Sequence, residues 1–505
     1  MYHPSKQYAA LLQISSLLDA YKLRNIDVIG NADSNSNFTK YYHFLKADLT
    51  HNEDLAAQHI GYKDKDDENY RRFRVDYRSR LLSTVFFIDT TNPNLKEYTQ
   101  AYFRCSQQAT ILDIIMKFGY HDTLAVYGKE VLEQAQKFEI KEIELKIATQ
   151  LRNIYAQKLK DKKEYEKYRD ICKKLEIERA AERKAAEYFD HLMSFYTKSI
   201  DIQPEVYDIA DSYYGDLLHH LTPSSSVSLI ASTYTIGMVK FLSRFDYKNV
   251  IVVADKAIAA IKAKPYNADN YLIVFLNNKM LSHGNRHEFD LAREASLQVM
   301  AIANEGQSSW FNSLERTIRL AFHQENFVEA LELLKTAKKH KNFYTLTQSV
   351  HEDWTLIEAY IALFEKLNLL PKGSASFKKS KFLNDTPILQ ADKSGKNINV
   401  QIIVLLHQIL DNDNEDISDR VELLTRYRSR YLKGDHHARS YLFIQILKSV
   451  IEASNDVALA KKLIDDFYKK LLKEKFNFDN ELHLAEIVPF NVVWVKFRKD
   501  IAIAA

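Results

Sequence analysis

The sequence predicts an all-α protein built from stacked helical hairpins, with a separate helical domain toward its C-terminal end. Three observations carry that prediction. Glycine and proline are scarce, at 11 and 8 among 505 residues, where average usage would give about 35 and 25. Tight turns and φ > 0 positions should therefore be few, which leaves long helices joined by short polar turns. An aromatic residue followed by small or apolar residues at +3 and +7 recurs with a period of about 40. The stretches between these points carry their own 3.6-residue apolar stripes. The first observation argues against a large α/β enzyme with glycine-rich loops.

Residues 1–100 read as an N-terminal helical capping region. A polar loop covers 30–40, and a helix covers Tyr70 to Ile88. Phe73, Tyr77, Leu81, Val85 and Ile88 should line one face of that helix, and Arg71, Arg74 and Arg78 another. A repeat array needs a polar-faced end, which is the role this region is expected to fill.

Residues 101–370 carry the repeats. The pattern occurs at Tyr165 (Tyr168, Cys172), Tyr207 (Ala210, Tyr214), Tyr247 (Val250, Ala254), Phe289 (Ala292, Ser296) and Phe327 (Ala330, Leu334), with successive spacings of 42, 40, 42 and 38. A weaker echo lies at Asp122, Ala125 and Val131. The +3 and +7 spacing places these side chains on one helical face, where small residues let a second helix approach. Partner stripes run through Ala231 to Leu242 and through Leu314, Ile318 and Ala321. From Lys158 to Lys184 the chain is dense in both charges. Its coiled-coil-like run Tyr165, Tyr168, Cys172, Leu175 is broken by Arg179 and Glu182, so a charged helix pair within the array is expected rather than a dimer seam.

A connector rich in glycine, serine and lysine follows at 371–398, in which FLNDTPIL admits short strands or a structured loop. Residues 399–505 form the C-terminal helical domain. Helices are expected over 399–411, 417–431, 438–452, 455–473 and 480–487, and a last one after Pro489 carries Phe490, Val493, Trp494 and Phe497.

The segments FDYKNVIVVADKAI and ENFVEALELLKTA resemble the second helix of a tetratricopeptide (TPR) repeat, and Trp354, Ile357 and Ile361 fall on first-helix positions of another unit. The resemblance covers roughly residues 100–367 and implies a TPR-like right-handed helical-hairpin solenoid that presents a concave surface to a protein or peptide. The period is near 40 rather than 34, and the first-helix glycine is mostly missing. The C-terminal third, with FLN…P…DK.GKNI and EIVPF..VW, resembles an uncharacterised bacterial family of long helical proteins; that likeness implies no activity.

The remaining motifs narrow the function. Formal charge is +3, so contact with nucleic acid would have to use local basic patches. Cys105 and Cys172 exclude a cysteine-rich zinc module and suit reduced, part-buried thiols, with a lone structural disulfide as the alternative. At the N-terminus, Gln13, Ser15, Ser16 and Asp19 interrupt the apolar run, so no signal-peptide core is expected. The most apolar stretch, 398–410, holds Asn399, Gln401, His407 and Gln408 and is too short and polar to span a bilayer. A cytoplasmic protein without a membrane segment is the expectation.

No phosphate-cradling glycine loop and no H-E-x-x-H can be drawn. His219 and His220, adjacent on a helix, point about 100° apart. His283, His287 and Glu288 straddle a turn and read as an ordinary polar turn rather than a metal site. Arg430 and His436 have the R-x5-H form of some helical-bundle ribonucleases, but Lys433-Gly434-Asp435 breaks the shared face. No catalytic, metal or cofactor-binding residue is expected, and no cofactor.

The tetrapeptide Tyr-Arg-Ser-Arg occurs at 77–80 and 427–430, which makes Arg71, Arg74, Arg78, Arg426, Arg428 and Arg430 the candidate partner-binding residues. Interleaved Arg and Tyr can contact phosphates and stack on bases, or clamp an acidic peptide. The plainer reading, which we favour, puts Tyr in the core and Arg on a solvated face paired with neighbouring acids. The expected function is a non-enzymatic scaffold or adaptor binding a protein or peptide partner. The alternative is a nucleic-acid-associated factor using the two Tyr-Arg-Ser-Arg helices.

Overall fold

The computed structural model describes residues 36–47, 52–87, 89–90, 95–196, 205–375, 377–386, 396–413, 417, 420–422, 424, 438–454, 456–474, 476, 478 and 486–499. Every regular element among the described residues is helical. The chain divides into two compact units: residues 1–186, 220–230 and 262–268 form the first, and 187–219, 231–261 and 269–505 the second.

The first unit opens with Asn37–Ala47 (α1), Glu53–His59 (α2) and Glu68–Thr84 (α3), the last continued by a 3-10 turn, Val85–Phe87. Asn52 and Asp67 start α2 and α3, each side chain accepting two backbone N–H bonds that the helix leaves open. The three helices enclose an aromatic core of Tyr41, Ala56, Ala57, Ile60, Tyr70, Phe73 and Tyr77. The hydroxyls of Tyr41 and Tyr70 meet at 2.7 Å inside it. The buried face of α3 ends at Tyr77. Leu81 and Val85, expected to continue it, are exposed, as are Leu82, Phe86 and Phe87, while Ile88 lies outside the described residues. Length explains the difference: α1 has 11 residues and α2 has 7 against 17 in α3, so the partners run out before the apolar stripe does.

Glu97–Lys117 (α4), His121–Lys137 (α5) and Lys141–Gln157 (α6) pack successively, and α4 also touches α6. Gly128 permits the α5–α6 approach, since a Cβ there would lie 3.2 Å from Leu151 Cδ2. Lys162–Tyr196 (α7) is one helix of 35 residues, so the charge-dense segment lies on a single helix rather than on the expected helix pair; no glycine or proline within 162–196 interrupts it. Its Tyr168, Cys172 and Leu175 are buried, while charge pairs link it to α5 and α6: Lys129 with Glu164 at 2.9 Å, and Lys141 with Glu178 at 3.2 Å.

Further helices are Glu205–Leu218 (α8), Val227–Leu242 (α9), Tyr247–Lys262 (α10), Asp269–Asn285 (α11), Phe289–Ile302 (α12), Ser308–His323 (α13), Phe327–Lys339 (α14) and Gln348–Lys366 (α15). The +3 and +7 positions of the repeat pattern are all buried, from Tyr168 and Cys172 to Ala330 and Leu334. In the second unit α11 packs on α12, α12 on α13 and α13 on α14, and α11 also reaches α13.

One turn builds these hairpins repeatedly. At Gly119, Glu139, Phe245, His287, Glu325, Asn368 and Asn412 the backbone has φ between +53° and +77°. In each case the next residue's N–H bonds a carbonyl five positions back, as from Glu288 to His283 at 2.9 Å and from Asn326 to Ala321 at 2.8 Å. This is the Schellman closure of a helix C-terminus. After the first five of these residues, the following helix starts two positions later, at His121, Lys141, Tyr247, Phe289 and Phe327. The scarcity of glycine led to an expectation of few φ > 0 positions; among the described residues there are eleven, and most of them are not glycine. Six of the seven at these helix ends carry side chains, held left-handed by the two hydrogen bonds that close each turn.

Beyond α15, Lys379–Asp385 (α16) forms inside the connector with Phe382 buried. FLND is therefore helical rather than a strand or loop, because Phe382 gives this short turn an apolar anchor; residues 387–395 lie outside the described residues. Lys396–Asp411 (α17), Ala438–Ile451 (α18), Val457–Leu471 (α19) and Phe490–Phe497 (α20) complete the second unit. A continuous core runs from Trp310 through α15, α17 and α18 to Phe497. Arg439 of α18 holds this end together. Buried, it pairs with Glu486 at 2.8 Å and donates to Asn491 Oδ1 and to the carbonyls of Leu471 and Glu474 at 3.0–3.1 Å. The expected helices over 417–431 and 480–487 fall largely outside the described residues.

Candidate functional site

The basic stretch on α3 is built outward from its tyrosines. Tyr70 and Tyr77 lie in the aromatic core, one helical turn from Phe73 on either side. Burial pushes the Tyr77 hydroxyl up to about 12 and raises that of Tyr70 further. Neither ring is presented for stacking on a ligand. Arg71 pairs with Asp66 at 2.8 Å, and Arg74 pairs with Glu53 of α2 while lying against the Tyr70 ring. Arg78 is exposed. The arrangement matches the plainer reading of tyrosine inside and arginine on a solvated, acid-paired face. Arg426, Arg428 and Arg430 lie outside the described residues, as does His436, so the two Tyr-Arg-Ser-Arg copies are not brought together among the residues described.

Two of the described histidines, His283 and His407, are buried. His283 Nδ1 meets Glu288 Oε2 at 2.7 Å, and Arg286 also bonds Glu288. The Arg286 guanidinium and then His283 hold the Glu288 carboxyl down at about 2. Among the described residues no three His, Cys, Asp or Glu side chains are grouped as a metal would need. His407 is buried, stacked on Phe377 at 3.8 Å, with Nε2 3.0 Å from the Ala359 carbonyl. Burial lowers it to about 4, so it is neutral at pH 7. Cys105 and Cys172 are buried and unbridged, and burial pushes the Cys105 thiol up to about 11, which makes it a poor nucleophile.

Two cavities open in the second unit. One of about 510 Å³ lies between Gly306–Asn312 at the start of α13 and Asn342–Val350 at the start of α15. Its side chains are hydroxyls, amides and aliphatics, with no acid or base to transfer a proton. The other, of about 330 Å³, is lined by Phe377, Lys378 and Lys381 of the connector facing Glu358 and Lys338. There Lys338 and Glu358 are already paired at 2.7 Å.

An exposed apolar surface lies on the first unit, where the expected capping region meets the expected repeats. Helix α4 has two apolar faces. Ala101, Cys105, Ala109, Leu112 and Ile115 are buried. On the opposite side Phe103, Ile111 and Ile114 are exposed at 36, 53 and 50%. The carbonyl of Phe86 accepts a bond from Gln107 Nε2 at 3.0 Å, which sets the exposed Val85–Phe87 turn beside this second stripe. A signal was present in the sequence: besides Ala101, Cys105, Ala109 and Leu112 at i, i+4, i+8 and i+11, the segment 97–118 carries Phe103, Ile111, Ile114 and Phe118, too many apolar residues for one face of a single helix. No protein-family model, curated protein or solved structure matches the chain.

Proposed function

We propose that the chain is a non-enzymatic helical-repeat scaffold or adaptor that holds a protein or peptide partner. One observation supports this most: the outer stripe of α4, with the Val85–Phe87 turn beside it, is apolar and exposed, and surfaces of this kind mark protein contacts. A helix with apolar residues on both sides is more stable covered on both. The finer fold reading, a TPR-like right-handed solenoid with a concave surface, belongs to the same proposal. It is supported by the recurring turn and by helices that pack on their successor and on the helix after that. A cytoplasmic setting is likewise proposed, supported by two buried, unbridged thiols. The alternative, a nucleic-acid factor, gains less from the geometry, because Tyr70 and Tyr77 are core residues and Arg71 and Arg74 have acid partners.

The test is affinity purification of the tagged chain from its native cytoplasm, with and without nuclease, for the parent and for Ile111→Asp. A partner that survives nuclease and is lost in Ile111→Asp supports the scaffold reading. Partners retained by Ile111→Asp sink it as a property of this face. Partners lost with nuclease, and lost on charge reversal of Arg71, Arg74 and Arg78, move the nucleic-acid reading first.

A further inference from the structure

Resting on the reading of α4 as a protein contact, we infer that its outer face takes an amphipathic helix of a partner protein, one whose apolar stripe is bordered by acidic residues. The charges of α4 itself select that chemistry. The helix carries two acids, Glu97 and Asp113, and two bases, Arg104 and Lys117. Both acids are used inside the chain: Glu97 pairs with Lys137 of α5 at 3.7 Å, and Asp113 with Lys146 of α6 at 2.5 Å. Both bases are exposed, and among the described residues neither has an acid partner.

Their places matter as much as their sign. At about 100° per residue, Arg104 falls beside Ile111 and Lys117 beside Thr110, on opposite borders of the stripe that runs Phe103, Gln107, Thr110, Ile111 and Ile114. Along the axis the two cations stand about 20 Å apart, with exposed Ile111 and Ile114 between them. A partner that covers the stripe therefore brings its own borders against these cations, where an acid is attracted and a base repelled. Arg78 repeats the arrangement on α3. It is exposed, has no acid partner among the described residues, and shares a helical face with exposed Leu82 and Val85 at i+4 and i+7. The Gln107–Phe86 hydrogen bond sets the turn that follows beside α4. The partner is a helix because α4 uses its backbone groups internally and offers no edge to an extended chain. An extended peptide would lay unpaired N–H and C=O groups on an apolar surface, whereas a helix arrives with its own satisfied. Arg78, Arg104 and Lys117 also fall short of the roughly four to eight cations that hold a segment to an anionic lipid surface, which favours protein over membrane.

The experiment measures binding of the full chain to two dye-labelled synthetic helical peptides of about 18 residues, read by fluorescence anisotropy. The two share one leucine stripe and differ only at its borders, glutamate in one and lysine in the other. The parent is expected to bind the glutamate peptide about tenfold tighter than the lysine peptide, with the ratio shrinking as salt is raised. Arg104→Glu with Lys117→Glu, both at exposed positions and checked for parental helicity by circular dichroism, should reverse the preference. Ile111→Asp should lose the glutamate peptide. Equal binding of the two peptides by the parent overturns the inference, and so does a preference that survives the charge reversal. Binding of neither peptide overturns it as well; capture by vesicles of phosphatidylcholine and phosphatidylserine in equal parts would then name a lipid surface as the occupant. If Ile111→Asp loses its purified partner yet the parent shows no preference for glutamate, the acidic helix fails and the scaffold reading stands. If Ile111→Asp changes neither partners nor peptide binding, both fail.

Discussion

Helices α17 and α4 start from a similar problem and end differently. Both carry apolar residues on more than one side. In α17 every side is covered: Ile398, Val400 and the run Ile402 to Leu406 are buried, with α15 and α18 packed on it. Asn399, Gln401, His407 and Gln408 are buried too, and each makes a hydrogen bond. Tyr360 donates to Asn399 Oδ1 at 2.7 Å, Arg420 donates to Gln401 and Gln408, and His407 bonds the Ala359 carbonyl. In α4 only one side is covered. Among the described residues no helix is long and apolar enough to cross a membrane, so the apolar run at 398–410 is a core helix. Apolar residues on more than one side have become fixed interior in one helix and exposed surface in the other.

Tryptophan emission separates the two cases, because Trp310, Trp354 and Trp494 all belong to the second unit. The largest effect is expected for Leu405→Ala in α17, about 2–5 kcal/mol by urea unfolding followed by tryptophan emission. A loss below about 1 kcal/mol would mean that α17 is not packed on all sides.

Next is the pH dependence of His407. Its folded pKa lies at about 4 against about 6.5 unfolded. The unfolded chain therefore takes up a proton that the folded chain refuses, and stability falls as pH drops from about 6.5 toward 4. By pH 5 the loss is about 2 kcal/mol. His407→Phe, which keeps the stack on Phe377, should be less stable at pH 7 through the lost hydrogen bond, yet lose about 2 kcal/mol less than the parent between pH 7 and 5. Identical pH profiles would show that the ring protonates in place.

A smaller change is expected at the turn leaving α4. A Cβ on Gly119 would meet nothing within 4 Å at φ +77°, so Gly119→Ala isolates the backbone term, about 1 kcal/mol. The loss should appear in far-ultraviolet circular dichroism of the first unit and leave the tryptophan transition in place. The smallest effect is Phe103→Ala on α4, within about 0.5 kcal/mol at high dilution. A loss like that of Leu405→Ala would show that the outer face of α4 is packed within the single chain.

Much of the scaffold was legible in the residues. The aromatic with its +3 and +7 followers marks buried helix faces wherever it was read, and Tyr247, Phe289 and Phe327 are the first residues of their helices. The left-handed turns were missed because glycine was the only signal sought, and Glu139, His287 and Glu325 are held in that conformation by flanking helices rather than by any local preference. Of the candidate arginines, the pairing of Arg71 fits its nearness to Asp66 in the chain. The pairing of Arg74 with Glu53, across two helices, depends on how α2 and α3 meet.

The sequence by itself determined that the chain is helical, where its repeated buried faces fall, and that apolar stripes run along α3, α4 and α17, since each follows from local periodicity and composition. Only the tertiary structure decided which stripes are buried. Burial depends on whether a neighbour is long enough and present on that side, and α1 and α2 are too short to cover the end of α3. It also decided that six side-chain-bearing residues take φ > 0 at these helix ends, because the two hydrogen bonds that close each turn outweigh a local cost of about 1 kcal/mol.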